Sequence, residues 1–457
     1  MTAPRIASPA DVLATRDRHR DTAPVSADEL EQLLALPDAT DRPEPAASVD
    51  FWTRRPVLTH VLEFARARRA GPWAVLGIIL ARAVTATEPN VQLPPIVGGP
   101  VSMNLFVALV GPSGGGKGAA EGAARAAVRF ADHNGIDVDV PTFTLGSGEG
   151  LARTFAEPSE RELEEGASRC TRAMFAVAEV DTLAALGSRT GSTLLPELRK
   201  LYSGEQIGFQ NANRATRLVI NAHDYRACLT MGVQPAKAGA LIHDADGGTP
   251  QRFLWMPVGD PDAPDVRPTE PAPWTVKAPR WGYDPVYLDV PGQARREIDR
   301  HRLAVLRGEP VDPLDGHRML SRLKVAAALA ILDGRSVVAD DDWALSGIVM
   351  AKSDQTRAGI ERTLAEQTRK ANRARAEMDA ERAVITDEAK AAGEVARVRK
   401  QVLAKLDRAP GGMARGELVR GLKAGLRGHL DDVLAELLAA GQITSTPESR
   451  GVRYARA

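Results

Sequence analysis

The sequence predicts an α/β fold: a parallel sheet built around a phosphate-binding loop, with helices before it, a helical region after it and a winged helix at the end. Three observations predict this. "LFVALVGPSGGGKGAAEGAA" (Leu105 to Ala124) runs from an apolar strand through a glycine-rich turn and a lysine into a small-residue helix. Apolar strand-like runs then alternate with helical stretches, the pattern of a parallel sheet. The tail from Lys400 reads as helix, helix, helix and two-stranded ribbon, the winged-helix order.

With 457 residues the chain can hold several domains. They are expected at 1–50, 51–95, 96–290, 291–399 and 400–457. Residues 1–50 are rich in Pro, Ala and Asp and read as a flexible arm, with one short helix at "SADELEQLLAL". From Phe51 two helices are expected. "RRPVLTHVLEFARARRA" places Val57, Val61, Leu62 and Phe64 near helical spacing, and "GPWAVLGIILARAV" follows. The apolar run Trp73 to Val84 is too short to span a bilayer and reads as a buried helix.

In the core, the candidate strands are "LFVALV", "DVPTFTL", "AMFAVAEV", "TRLVI" or "NAHDYRACLTMGVQP", and "RFLWMPV". The Pro/Asp/Trp-rich stretch between Gly259 and Asp289 reads as an ordered loop or linker rather than a regular element. "GHRMLSRLKVAAALAIL" is an amphipathic helix, and a charged helix after "VVADDDW" is expected to reach about Val395. That helix reads as solvated, with a coiled-coil seam as the other reading. "KQVLAKLDRA", "MARGELVRGLK" and "LRGHLDDVLAELLAAGQI" supply the tail's three helices and "TSTPESRGVRYARA" its ribbon.

Composition narrows the function classes. Formal net charge is +0, so any nucleic-acid contact must come from a local patch. Aromatic content of 4% weighs against extensive base stacking. The two cysteines, Cys170 and Cys228, have neither metal spacing nor a disulfide framework and read as buried thiols in a reducing cytosol. The N-terminus lacks the apolar run of a signal peptide, so a cytoplasmic protein is expected.

The chemistry centres on Gly111, Ser113, Gly114, Gly115, Gly116, Lys117 and Gly118. Glycines let successive N–H groups point inward, the helix N-terminus adds its dipole, and the lysine reaches terminal phosphates. ATP is the expected ligand, with Mg²⁺. Gly118 stands where the common pattern has Ser or Thr on the metal; a water can fill that place. Acid ligands are then expected at the end of "AMFAVAEVDTL": Glu179 on the metal side or activating water, and Asp181 as a further metal ligand. Gln234, after "ACLTMGVQP", is a candidate γ-phosphate sensor. Arg252 is a candidate arginine finger for a neighbouring subunit; a structural pair with Asp244 or Asp246 is the alternative. Glu149 reads as a helix N-terminal acid, with a second water-polarising carboxylate as the other reading.

These motifs resemble the replicative-helicase-like ATPases of bacterial plasmids, prophages and integrative elements. The carriers are "GPSGGGKG", "SGEGLARTF", "EVDTLAALGSRTGSTLLPELRKLYSGEQIGF", "RLVINAHDYRACLTMGVQPAKAGALIHDADGGTPQRFLWMPV" and "GHRMLSRLKVAAALAIL", between about Phe51 and Ile360. The resemblance implies a RecA-like or AAA-like oligomeric motor, commonly a ring such as a hexamer. Such motors act on single-stranded DNA beside a primase or replication initiator. It implies nucleotide binding at Gly116 and Lys117, hydrolysis at Glu179, phosphate sensing at Gln234 and the finger role at Arg252. Gly118 and Ala178 depart from the general P-loop ATPase pattern.

For DNA, Arg189, Arg199 and Lys200 follow the acidic strand, where channel-facing loops often lie; a salt-bridged surface loop is the alternative. In the tail, ten Lys/Arg face six Asp/Glu. Arg420, Lys423 and Arg427 are candidates for a groove, and Arg450 and Arg453 for wing contacts to phosphate. Asp431 and Asp432 would repel phosphate. The expected function is an ATP-driven helicase or translocase. The alternative is a nucleotide-switched DNA-binding initiator or helicase loader with little hydrolysis.

Overall fold

The computed structural model describes residues 48–187, 192–210, 217–242, 244, 247–309, 316–449 and 451–457. The helix expected at "SADELEQLLAL" lies outside them. The chain divides into two compact units, Met1–Val233 with His243–Thr356, and Gln234–Ile242 with Arg357–Ala457.

In the first unit, α1 (Ser48–Thr53), α2 (Pro56–Ala67) and α3 (Pro72–Thr85) come first. Proline starts both α2 and α3, where its fixed φ suits a helix and its missing N–H removes no bond. The α3 helix is buried on nearly every face, as its all-round apolar sequence requires. A Cβ on its Gly77 would stand 2.8 Å from Met256 Cγ and 2.9 Å from Val107 Cγ1. Glycine is what lets this helix lie so close to the sheet.

Next come β1 (Val91–Leu93), β2 (Val101–Ser102), β3 (Phe106–Val110), α4 (Lys117–Ala127), β4 (Val128–Ala131) and β5 (Thr142–Thr144). They are followed by α5 (Gly148–Arg153), α6 (Glu160–Glu164), β6 (Arg172–Val177), α7 (Val180–Gly187) and α8 (Leu194–Ser203). After β7 (Ile207–Phe209), β8 (Leu218–Ile220) and β9 (Arg226–Val233), a short α9 (Gly239–Ile242), which belongs to the second unit, precedes β10 (Phe253–Pro257). The chain continues through β11 (Trp274–Lys277), β12 (Val286–Tyr287), α10 (Gly292–Leu306), α11 (Arg318–Leu332) and α12 (Asp340–Asp407).

Five strands form the central sheet in the order β10-β3-β9-β6-β5, every neighbouring pair parallel. Both β3 and β9 are wholly buried; β3 is apolar throughout, as a strand covered on both faces requires, while β9 also buries Arg226 and Thr230. Strand β9 lies between β3, which leads into the glycine loop, and β6, which leads to Glu179. Helices α3, α4 and α11 share one continuous apolar core with β3.

Several elements differ from expectation. "TRLVI" becomes β8, which pairs antiparallel with β7 in a separate two-stranded sheet, while β9 joins the core. The strand "AMFAVAEV" stops at Val177, and α7 takes up Val180 and Asp181. The stretch after Gly259 is not all loop: β11 pairs parallel with β4, and β12 with β1. Passing an open sheet edge, its backbone groups find partners that a proline-rich composition conceals. Cys228 is buried, but Cys170 is only half-buried. The charged helix does not end near Val395; α12 continues to Asp407 and absorbs most of "KQVLAKLDRA". No proline interrupts it, and Gly393 alone does not stop a helix whose neighbours are good formers.

In the second unit, the last turns of α12 present Val398, Val402 and Leu406 at four-residue spacing. They are followed by β13 (Met413–Ala414), α13 (Arg415–Arg420), a 3₁₀ turn at Ala424–His429, α14 (Leu430–Ala439), β14 (Ile443–Glu448) and β15 (Gly451–Arg456). Leu418, Leu422, Leu430, Val433, Leu434 and Leu437 close the core with that stripe. The strands pair antiparallel in the order β13-β15-β14.

Candidate functional site

The glycine loop leaves β3 at its carboxyl end, and Gly111 N–H donates to the Val233 carbonyl at the end of β9 (3.0 Å). A Cβ on Gly111 would meet Val258 Cγ2 at 2.1 Å, and one on Gly115 would meet the Pro112 oxygen at 2.9 Å. Gly114 and Gly116 adopt φ of 72° and 96°, which side-chain-bearing residues rarely take. All the glycines of the run are therefore needed except Gly118, whose Cβ would meet nothing within 4 Å. Lys117 opens α4, and its Nζ reaches back over the loop to the carbonyls of Pro112 (3.2 Å) and Gly111 (3.5 Å). Exposed Ser113 and Gly114 complete the loop's outer rim.

Glu179 follows β6, and its Oε1 lies 3.7 Å from Lys117 Nζ. The strand order thus brings two of the four sequence-predicted catalytic residues, Lys117 and Glu179, together across β9. A residue that sequence reasoning missed makes this possible. On β9, a Cβ at Gly232 would stand 2.1 Å from the Ala178 carbonyl oxygen and 3.1 Å from Lys117 Cδ. The signal was a lone glycine inside an apolar strand, a mark of close backbone approach. Asp181 sits in the first turn of α7 and is exposed. Glu149 occupies the first turn of α5, capped by Ser147, whose Oγ accepts from Gly150 N–H at 3.0 Å. Gln234 directly follows β9 and precedes a 3₁₀ turn.

Arg252 lies elsewhere. It immediately precedes β10, which runs parallel to β3 with Phe253 opposite Phe106. Arg252 therefore stands at the amino edge of the sheet and the glycine loop at its carboxyl edge, a strand length of about 16 Å away. Its Nη1 donates to the carbonyls of Gly248 (2.6 Å) and Gly247 (3.3 Å), and its guanidinium lies 6.0 Å from the Tyr202 ring centroid. Of the two acids in the alternative reading, Asp244 pairs with Arg199 at 2.7 Å, and Asp246 lies outside the described residues. Arg199 also donates to Thr249 Oγ1 (3.0 Å). Lys200 pairs with buried Glu197 (2.8 Å), which also accepts from Gly208 N–H (3.0 Å).

This amino-edge cluster extends inward to Lys324, whose Nζ donates to the Asn104 carbonyl (2.8 Å) and to that of Tyr202. Burial drives the Lys324 ammonium well below its usual pKa and lifts the Tyr202 phenol to about 12. Burial, helped by the Arg252 and Lys324 charges, lowers His317 to about 4. The cluster fixes the start of β3 to α8 and α11, and so helps set where the glycine loop emerges.

No family model matches the chain, and no curated protein matches it. Among solved structures it is similar to a full-length MCM homologue from Methanopyrus kandleri, at 14% identity and a TM-score of 0.35, over 69% of this chain and 62% of that one. The chain thus spans less than two thirds of that structure, and the functional reading rests on its own geometry.

In the second unit, Arg420, Lys423 and Arg427 are exposed. Arg420 and Arg427 each donate to a carbonyl of their own segment, Gly416 (3.2 Å) and Leu422 (3.3 Å). Arg453 is engaged by Glu448 and by the Gly412 carbonyl (2.9 Å). Asp431 forms an ion pair with Arg415 at 2.6 Å, which neutralises part of the acidic face. Arg189 and Arg450 lie outside the described residues. Among the described residues no helix is long and apolar enough to cross a membrane.

Proposed function

We propose that this chain is an ATP-driven, ring-forming DNA helicase or translocase that serves the replication of a mobile element. The single observation that carries the reading is the Lys117–Glu179 pair, 3.7 Å apart at the carboxyl ends of β3 and β6, beside a glycine cradle. Ligands of open α/β sheets bind at this edge. A polyphosphate fits the donors present. Lys117 Nζ rests on two carbonyls, weaker acceptors than phosphate oxygens, and the helix N-terminus and loop N–H groups add positive potential. Mg²⁺, when bound with ATP, supplies charge neutralisation on the phosphates. Glu179 and Asp181 are the carboxylates that would face it, and water takes the place of a hydroxyl at residue 118.

In this reading Lys117 holds the terminal phosphates, Glu179 orients and accepts a proton from the attacking water, and Gln234 senses the γ-phosphate. Arg252, at the opposite edge from its own loop, serves only a neighbour's site, which is what a ring supplies. The helix–turn–helix–hairpin of the second unit acts as a winged helix on DNA through Arg420, Lys423 and Arg427. A primase or an initiator is the expected partner. The second reading, a nucleotide switch with little turnover, is favoured by one observation: the Arg252 guanidinium is held by its own Gly247–Gly248 carbonyls.

Glu179→Gln separates these readings. A motor variant of this kind binds ATP as tightly as the parent and loses turnover by roughly a hundredfold or more. A parent chain whose turnover is no higher than that of Lys117→Ala contradicts the motor.

A further inference from the structure

We infer that the Arg280–Tyr287 loop and the first turns of α10 form a landing surface for single-stranded nucleic acid, with Tyr283 and Tyr287 stacking on bases and Arg280, Arg296 and Arg300 meeting phosphates. The inference rests on the DNA-acting reading above and adds a contact surface outside every residue assigned there.

The chain has few aromatic residues, and nearly all of them are inside. Among the described residues four aromatic side chains are exposed, Phe143, Trp274, Tyr283 and Tyr287, and three of these lie between 274 and 287. Tyr283 is completely exposed (104%) and Tyr287 half so (50%). Core packing does not explain either. Nor is Tyr283 on a loose segment, because Asn90 Nδ2 donates to the carbonyls on both sides of it, Gly282 (2.6 Å) and Asp284 (2.9 Å). Tyr287 is held in β12 opposite Gln92. Both rings are thus presented from fixed backbone, which lowers the ordering entropy that stacking must overcome.

The charge around them is mixed, with arginine in excess, and exposed Asp284 and Asp299 are the acids that a polyanion would have to pass. Between 280 and 307 the sequence carries six arginines and four acids. Two of the acids are occupied: Glu297 by Arg322 (2.8 Å) and Trp343 Nε1 (3.0 Å), and Asp289 by Arg295 (3.9 Å) and the Val290 N–H (2.9 Å). Arg280, Arg296 and Arg300 are exposed and form no ion pair among the described residues. The Arg296 guanidinium folds back beside Gly292, over the helix end that adjoins the tyrosine loop. Arg296 and Arg300, four residues apart, share one helix face, where like charges repel until a polyanion arrives. Arginines beside exposed aromatic rings on a fixed frame are the ingredients of a sequence-tolerant single-strand site. Arg199 and Lys200, by contrast, are already engaged by carboxylates.

The test uses the full chain and fluorescein-labelled oligothymidylate, with anisotropy read over a series of salt concentrations and sedimentation run in parallel. Tyr283→Ala with Tyr287→Ala weakens binding roughly tenfold or more and leaves the salt slope unchanged, while Tyr→Phe at both positions keeps parental affinity. Arg296→Ala with Arg300→Ala makes the slope of log K against log salt shallower by about 1.4, near 0.7 for each phosphate contact. ATP turnover without DNA stays at the parental rate in every variant. If the parent binds and both double alanine variants match it, the surface is overturned while the DNA-acting reading stands. If the variants change sedimentation and leave DNA affinity unaltered, the face is a contact between copies and the inference is overturned. A parent that binds no oligothymidylate overturns the reading beneath it as well.

Discussion

A Cβ on Gly232 would collide with the Ala178 carbonyl at 2.1 Å and press on the Lys117 stem at 3.1 Å, so this glycine lets the acidic strand end and the lysine share one gap. Gly232→Ala is expected to weaken binding of a fluorescent ATP analogue roughly tenfold, about 1.4 kcal/mol; unchanged affinity would show that Lys117 is not positioned through this contact. Gly118 is different, since a Cβ there would meet nothing within 4 Å. Gly118→Ser should therefore fold normally and lower the Mg²⁺ concentration needed for half-maximal hydrolysis. A Mg²⁺ requirement equal to the parent's would mean that the metal sits beyond reach of residue 118. The glycine loop and Lys117 were legible because neighbours in sequence build them. Gly232 was not, because its reason is a contact between β9 and two segments far away in the chain.

At the scale of elements, apolar continuity and helical spacing located β3, β10 and α3 well, while β6 was read too far and β9 was only one of two alternatives. Short strands escaped. The pairing of β11 and β12 depends on edges offered by β4 and β1, which no local pattern announces. The end of α12 escaped for the opposite reason: its last turns carry the apolar stripe of the second unit, so the sequence reads as a new helix where the old one continues. That stripe meets Leu430 and Leu434 on α14 in a core confined to this unit. Leu430→Ala removes a fully buried side chain and is expected to destabilise the unit by about 2–5 kcal/mol, read as an earlier urea transition in far-ultraviolet circular dichroism. An unshifted transition would mean that this core does not hold the unit together.

Across the whole molecule, strand direction sorts the candidate residues into two groups that no linear reading separates. Lys117 and Glu179 gather at the carboxyl edge of the sheet, whereas Arg252, Arg199 and Tyr202 gather at the amino edge. Arg252, the proposed finger, stands a strand length from the cradle of its own chain; in the proposed reading the two serve each other between copies, and that is the central claim. The measurement that tests it most directly is Mg²⁺-dependent ATP turnover at rising protein concentration, with and without single-stranded DNA, for the parent, Lys117→Ala, Arg252→Ala and an equal mixture of the last two. The account predicts turnover that DNA stimulates and that steepens as copies assemble, is absent in either variant alone, and partly returns in the mixture, where an intact finger meets an intact cradle. Turnover independent of concentration and indifferent to Arg252→Ala would contradict it.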